Sequence, residues 1–202
     1  MVSQAMGCGR SDLVERATRN EESRREGADA QKGLRGELAK VLAGSIVRDR
    51  QAHDDGDTVW IKRDERPTHD FEFMGSLASG IMTGTAETPL ETANSGDATE
   101  GSKKEVVIVI TSSLPGKDQT HLVLVQSNDQ SRAKDVYEGI KNGLDSLAEG
   151  EGGKRVKGGG ARGRFMGKVE GKWGKVEDGK VGEVVQAVSS VTPSSQLNVF
   201  RI

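Results

Sequence analysis

The sequence predicts an α/β fold in which a small mixed sheet is flanked by helices and preceded by a long N-terminal, coiled-coil-like helical arm. Three observations predict it. Residues 12–50 contain no proline and carry Leu34, Leu38, Val41 or Leu42, and Ile46 at helical spacing. Two β-branched runs, VVIVIT and HLVLVQ, are separated by SSLPGKDQ with its Pro-Gly turn signal. Downstream, Ala133, Val136, Tyr137, Ile140, Leu144 and Leu147 fall on one face of a helix.

With 202 residues and 33% hydrophobic content, the chain can bury one modest core but hardly two. Aromatics make up 3% and charged residues 30%, so some segments bury too little apolar surface to offset the entropy of ordering them. The expected layout is a disordered stretch over 1–10, the arm over 11–50, an α/β domain over 51–192 and a frayed tail over 193–202. The single cysteine, Cys8, excludes an internal disulfide and a cysteine-based zinc site, and it points to a reducing compartment. No apolar run approaches the roughly 20 residues that span a bilayer, and residues 1–10 lack the apolar core of a signal peptide. A cytoplasmic protein with no membrane partner is expected.

The arm takes Ser11 or Asp12 as its N-cap. Its first half alternates Glu15, Arg16, Arg19, Glu21, Glu22, Arg24, Arg25 and Glu26 with almost no apolar stripe, as a solvated or coiled-coil helix does. Gly27, Gly33 and Gly36 each weaken it by about 1 kcal/mol relative to Ala. HDDGD, residues 53–57, forms a turn, and Val59 and Ile61 then alternate with Thr58, Trp60 and Lys62 in a short strand. Phe71, Met74, Leu77, Ala78 and Ile81 share one helical face, with Asp70 at the helix start to suit the dipole. Residues 84–104 have no periodicity and read as a disordered insertion. The two β-branched runs become the central, hairpin-connected strands. A glycine-rich basic loop over 150–167 follows the third helix, and Val181, Val184, Val185 and Val188 mark a last one.

The net charge of −2 hides a local asymmetry. KRVKGGGARGRFMGKVEGKWGK, residues 154–175, holds Lys154, Arg155, Lys157, Arg162, Arg164, Lys168, Lys172 and Lys175 against Glu170 alone. Glycines let backbone amides approach an anion closely, arginines pair with phosphate in two-pronged fashion, and Phe165 and Trp173 offer rings for base stacking. A plain solvated cationic loop has the same composition. A nucleotide-binding glycine loop does not fit, because GGGARG follows a helix and a loop rather than a strand, and no GKS or GKT follows it.

Elsewhere the chemistry-bearing residues read as structural. His53, Asp54, Asp55, Asp57, His69 and Asp70 are solvated turn formers rather than metal ligands. His121 is an edge residue at a strand start, and no base is placed beside Ser112 or Ser113 by sequence.

The order of the helix at 71–81, the strands VVIVITSSL and HLVLVQS, the helix through AKDVYEGIKNGL and then GGGARGRFMGKVEGK resembles the C-terminal domain of AlaX-type alanyl-tRNA editing proteins. This is the DHH-associated domain, related to the end of alanyl-tRNA synthetases and of some DHH phosphoesterases. The most specific match is Gly158, Gly159, Gly160, Gly163, Arg164, Phe165, Gly167 and Lys168. The resemblance covers most of residues 12–188, strongly only in the second half. It implies a nucleic-acid-facing surface made of Lys157, Gly158, Gly159, Gly160, Arg162, Gly163, Arg164, Phe165, Gly167 and Lys168.

The family's editing domain binds zinc through an HxxxH and a later CxxxH pair, and this sequence contains neither. The phosphoesterase Asp-His-His signature is missing as well. The resemblance therefore implies an accessory tRNA-binding domain in aminoacyl-tRNA metabolism and translation fidelity, without a catalytic centre, metal or cofactor of its own. Zinc is expected only where the editing domain is present. Two alternatives stand beside it. One is a divergent or truncated alanyl-tRNA editing hydrolase whose zinc domain is missing or supplied in trans. The other is a structural module that dimerises through the N-terminal helix and a sheet edge.

Overall fold

Strands whose residues are apolar on both faces need cover on both faces, and the chain supplies helices for each. The computed structural model describes residues 5–53, 58–63, 69–86, 106–113, 120–148, 154–189 and 198–201. Within them lie α1 (Ala5–His53), β1 (Thr58–Arg63), α2 (Phe71–Ala86), β2 (Val107–Ser112), β3 (Thr120–Ser127), α3 (Gln130–Asp145), β4 (Val156–Ala161), β5 (Arg164–Glu170), α4 (Lys175–Ser189) and β6 (Asn198–Arg201). The strands form one mixed sheet in the order β4-β5-β3-β2-β1-β6. Strand β1 runs parallel to β2 and β6, and the remaining pairs are antiparallel. The predicted α/β class, mixed sheet and long N-terminal helix are all present.

The chain divides into two compact units, residues 1–38 and 39–202. In the first, residues 15–34 of α1 are exposed all round, and Glu15–Arg19 and Glu21–Arg25 form ion pairs of 2.8 Å one turn apart. Such exposed pairs add only about 0.3–0.5 kcal/mol each.

In the second unit, Val59, Ile61, Ile108, Ile110, Leu122 and Leu124 face Ala39, Ala43, Ile46 and Val47 of α1 and the apolar stripe of α2. The alternate residues Trp60, Val107, Val109, Val123 and Val125 face α3 and α4. Two aspartates set helix starts: Asp70 accepts from the Phe73 N–H (2.6 Å), and Asp129 from Ser131 (2.8 Å) and Arg132 (3.2 Å). At the far end of α3, the Asp145 carboxylate accepts from the backbone of Arg155 (2.8 Å) and Val156 (2.9 Å), fixing where β4 begins.

Several expectations change. Helix α1 begins at Ala5, so residues 5–10 are helical; the segment contains no proline to stop the helix from extending. Helix α2 runs to Ala86, past the expected start of the insertion, and the rest of 84–104 lies outside the described residues. The glycine-rich loop is instead the β4–β5 hairpin, because its backbone pairs along the whole length of the motif. The tail contributes β6, which pairs with β1 and packs Phe200 against the first core. Four residues carry too little pattern to announce a strand.

Candidate nucleic-acid interface

The hairpin turn is set by Arg162 and Gly163, both with positive φ (53° and 76°), the two-residue geometry that matches strand twist. At Gly163 a side chain would run into the Ser127 carbonyl oxygen, and the Gly163 carbonyl accepts from Ser127 N–H at 2.9 Å. Arg162 has no such excuse. A left-handed conformation costs a residue with a Cβ about 1–2 kcal/mol relative to glycine, yet here it holds an exposed arginine at the tip.

Along β5, Phe165, Gly167 and Val169 point to α3, which leaves Arg164, Met166, Lys168 and Glu170 on the other face. The register sets Lys157 opposite Lys168 and Gly159 opposite Met166. Like charges facing each other across strands are unfavourable. Glu170 relieves this through a 2.8 Å ion pair with Lys157, both side chains being exposed. The side chains of Lys168 and Arg162 are exposed and make no ion pair or hydrogen bond among the described residues.

The ten residues singled out by sequence therefore divide. Lys157, Gly158, Gly159, Gly160, Arg162 and Lys168 lie exposed on the ribbon. Phe165 is buried at 6% exposure and stacks on Tyr137 with ring centroids 5.6 Å apart, so it offers no ring to a base. Its place in the strand alternation, between Arg164 and Met166, is the reason. Gly163 and Gly167 are buried as well. Arg164 is half-buried: its Nε donates to Gln126 Oε1 (2.9 Å) and its Nη2 to Ser79 Oγ (2.7 Å). That arginine ties the hairpin to α2 and β3 instead of offering a free cation.

Of the flanking residues, Lys154, Lys172 and Lys175 are exposed, while Arg155 and Trp173 are half-buried and engaged within the fold. Arg155 donates to Glu177 (2.9 Å) and to the carbonyls of Glu170 and Lys172. Trp173 is half-buried, donates Nε1 to Asp178 (2.9 Å) and lies 5.4 Å from the His121 ring, so it is not a free stacking platform either. Lys62 lies 4.0 Å over the Trp60 ring and pairs with Asp178 at 2.9 Å, which holds the start of α4 on β1. GGG lies inside a strand and opens no helix, which again excludes a phosphate-binding P-loop.

His121 is 2% exposed on β3, an interior strand rather than an edge, and its Nε2 donates to the Gly171 carbonyl at 2.9 Å. The sequence also kept apart a pair that the fold joins. His69 Nδ1 lies 2.8 Å from Ser112 Oγ, and His69 Nε2 lies 3.0 Å from the Thr120 carbonyl. The carbonyl can only accept, so Nε2 carries the proton and Nδ1 accepts from the Ser112 hydroxyl. Burial lowers the pKa of His69, against the hydrogen bond to Thr120 and the charge of Asp70, which favours this neutral form. Ser112 is 1% exposed. The pair is a link between the start of α2 and the sheet.

Among the described residues no three His, Cys, Asp or Glu side chains are grouped to hold a metal ion, and no helix is long and apolar enough to cross a membrane. The HDDGD turn acids, residues 54, 55 and 57, lie outside the described residues, as do the side chains of His53 and Cys8. No protein-family profile matches the chain, and no curated protein is significantly similar to it.

Proposed function

We propose that this protein is an accessory RNA-binding domain, with tRNA as its ligand and the β4–β5 ribbon as its contact face. The observation that carries the reading is Arg162: an exposed, unpartnered arginine, among the described residues, held at a conformational cost at the tip of a hairpin. Lys168 and Lys157 extend the cationic surface along the same ribbon. Backbone phosphate is the partner such a surface suits, and the resemblance to the C-terminal domain of AlaX-type alanyl-tRNA editing proteins narrows the nucleic acid to tRNA. The role is to position RNA, with no metal or cofactor of its own, and a cytoplasmic location belongs to the same proposal.

The test is a tRNA titration of the full chain across a salt series. Affinity falling with salt, and falling further in a double Arg162→Glu, Lys168→Glu variant, supports the reading. No binding, or binding indifferent to salt and to both charge reversals, overturns it. Deacylation of Ser-tRNA(Ala) by the isolated chain would replace positioning with hydrolysis.

A further inference from the structure

The three consecutive glycines are not equivalent. A Cβ on Gly158 would run into the Met166 carbonyl oxygen, and one on Gly160 into the Arg164 carbonyl oxygen. Those two positions are glycine because the hairpin backbone requires it. A Cβ on Gly159 would meet nothing within 4 Å, and Gly159 has no left-handed φ. Neither packing nor backbone geometry calls for glycine there, while glycine in a strand forfeits β-propensity and side-chain contacts. Close approach of another molecule is the remaining physical reason for a bare backbone.

What lies opposite tells which molecule. The partner of Gly159 across the ribbon is Met166, half-buried against the first core, on the same face of β5 as Arg164 and Lys168 two residues to either side. A polarisable thioether two residues from the exposed cation of Lys168, facing a position stripped of its side chain, is a seat for a π-system whose flanking groups are anionic. We propose that an unpaired nucleobase of the bound RNA lies over Gly159 against Met166, with its flanking phosphates toward Lys168 and Lys157. Base-paired RNA keeps its bases stacked inside the helix and presents mainly backbone and 2′-hydroxyls. The seat therefore favours a single-stranded segment over a duplex. This rests on the RNA-binding reading above.

The experiment compares the full wild-type chain with Gly159→Val and uses three probes: a single-stranded octaribonucleotide, the same oligomer with abasic riboses at its centre, and the corresponding duplex. Valine suits an exposed strand position, so the variant is expected to unfold at the wild-type temperature or above. The wild type should bind the intact single strand about fivefold more tightly than the abasic one, the scale of a sulfur–ring contact. Gly159→Val should abolish that preference while leaving the salt dependence of binding in place. Equal affinity of the wild type for intact and abasic strands overturns the base seat and leaves the phosphate-contact reading standing, whether or not the variant folds. A folded Gly159→Val with the wild-type base preference also overturns it. Failure of the wild type to bind any of the three probes or tRNA removes both.

Discussion

The hydroxyl of Tyr137 donates to the carbonyl of Met166 at 3.2 Å, reaching from α3 to β5 through the space left by Gly167. A Cβ at position 167 would fall 2.7 Å from that hydroxyl and 2.9 Å from Val156 Cγ1. The ribbon is thus held flat on α3 by one aromatic residue and one missing side chain. Gly167→Ala is expected to destabilise the fold by about 1–3 kcal/mol through overpacking. Tyr137→Phe should cost about 1 kcal/mol by removing that hydrogen bond. Urea unfolding of the two variants checks both values. A Gly167→Ala protein as stable as the wild type would mean that α3 does not fix the ribbon.

The Arg155–Glu177 pair fastens the entry of β4 to the first turn of α4, with side-chain exposures of 13% and 12%. Burial by itself would raise the Glu177 carboxyl. Hydrogen bonds from Arg155, its own N–H and the Gly174 N–H, with the Arg155 charge, overcome this and bring its pKa below the ordinary carboxylate value. Arg155→Ala leaves that carboxylate without its cation and should cost about 3 kcal/mol. Because the folded-state pKa is lowered, the stabilisation is complete above the ordinary carboxylate pKa and disappears as pH falls through the lowered one. Thermal unfolding across the acid range should therefore show a steeper loss of stability in the wild type than in Glu177→Gln.

Arg162 offers a separation of stability from binding. Asn tolerates the left-handed region far better than Arg, so Arg162→Asn should raise the unfolding free energy by about 1 kcal/mol. The same change removes one phosphate contact, so tRNA affinity should drop and the salt dependence should flatten by about one ion. Calorimetry and the salt titration together decide the matter: an unaltered slope would show that Arg162 is held at the tip for some purpose other than phosphate.

Periodicity made the body of this fold legible. The stripes of α2 and α3 and the β-branched runs of β2 and β3 are strong local patterns, and their residues are the ones that fill the two cores. β4 was hidden because glycine has low strand propensity. Its pairing is decided by the backbone of β5, which composition does not report. A loop there hides the face of each residue in the site: once 164–170 is a strand, Phe165 must face α3 and Met166 the opposite core. The engagement of Arg155 and Arg164 was not legible, since Glu177, Gln126 and Ser79 are distant in sequence. Strand alternation sets Met166, rather than the aromatic beside it, on the same face as Arg164 and Lys168.

The histidines give the fold a pH dependence of known sign. Burial lowers the pKa of both His69 and His121, with the carbonyls of Thr120 and Gly171 opposing the shift. Near His69 the Asp70 charge also opposes it; around His121, His69 and Arg155 add to it and Glu177 opposes it. A base whose folded-state pKa lies below its ordinary value of 6.5 binds its proton more readily when unfolded. Stability is then complete above that ordinary value, declines as pH falls through it toward the folded pKa, and is flat below. Unfolding free energies measured in urea between about pH 7.5 and about pH 5 should fall, with the decline shallower in His69→Gln and shallower still in the His69→Gln, His121→Gln double variant. Histidine proton resonances followed by NMR should titrate below the ordinary value for both rings. A wild-type stability that is constant or rises on acidification through this window would show that neither ring is buried in its neutral form.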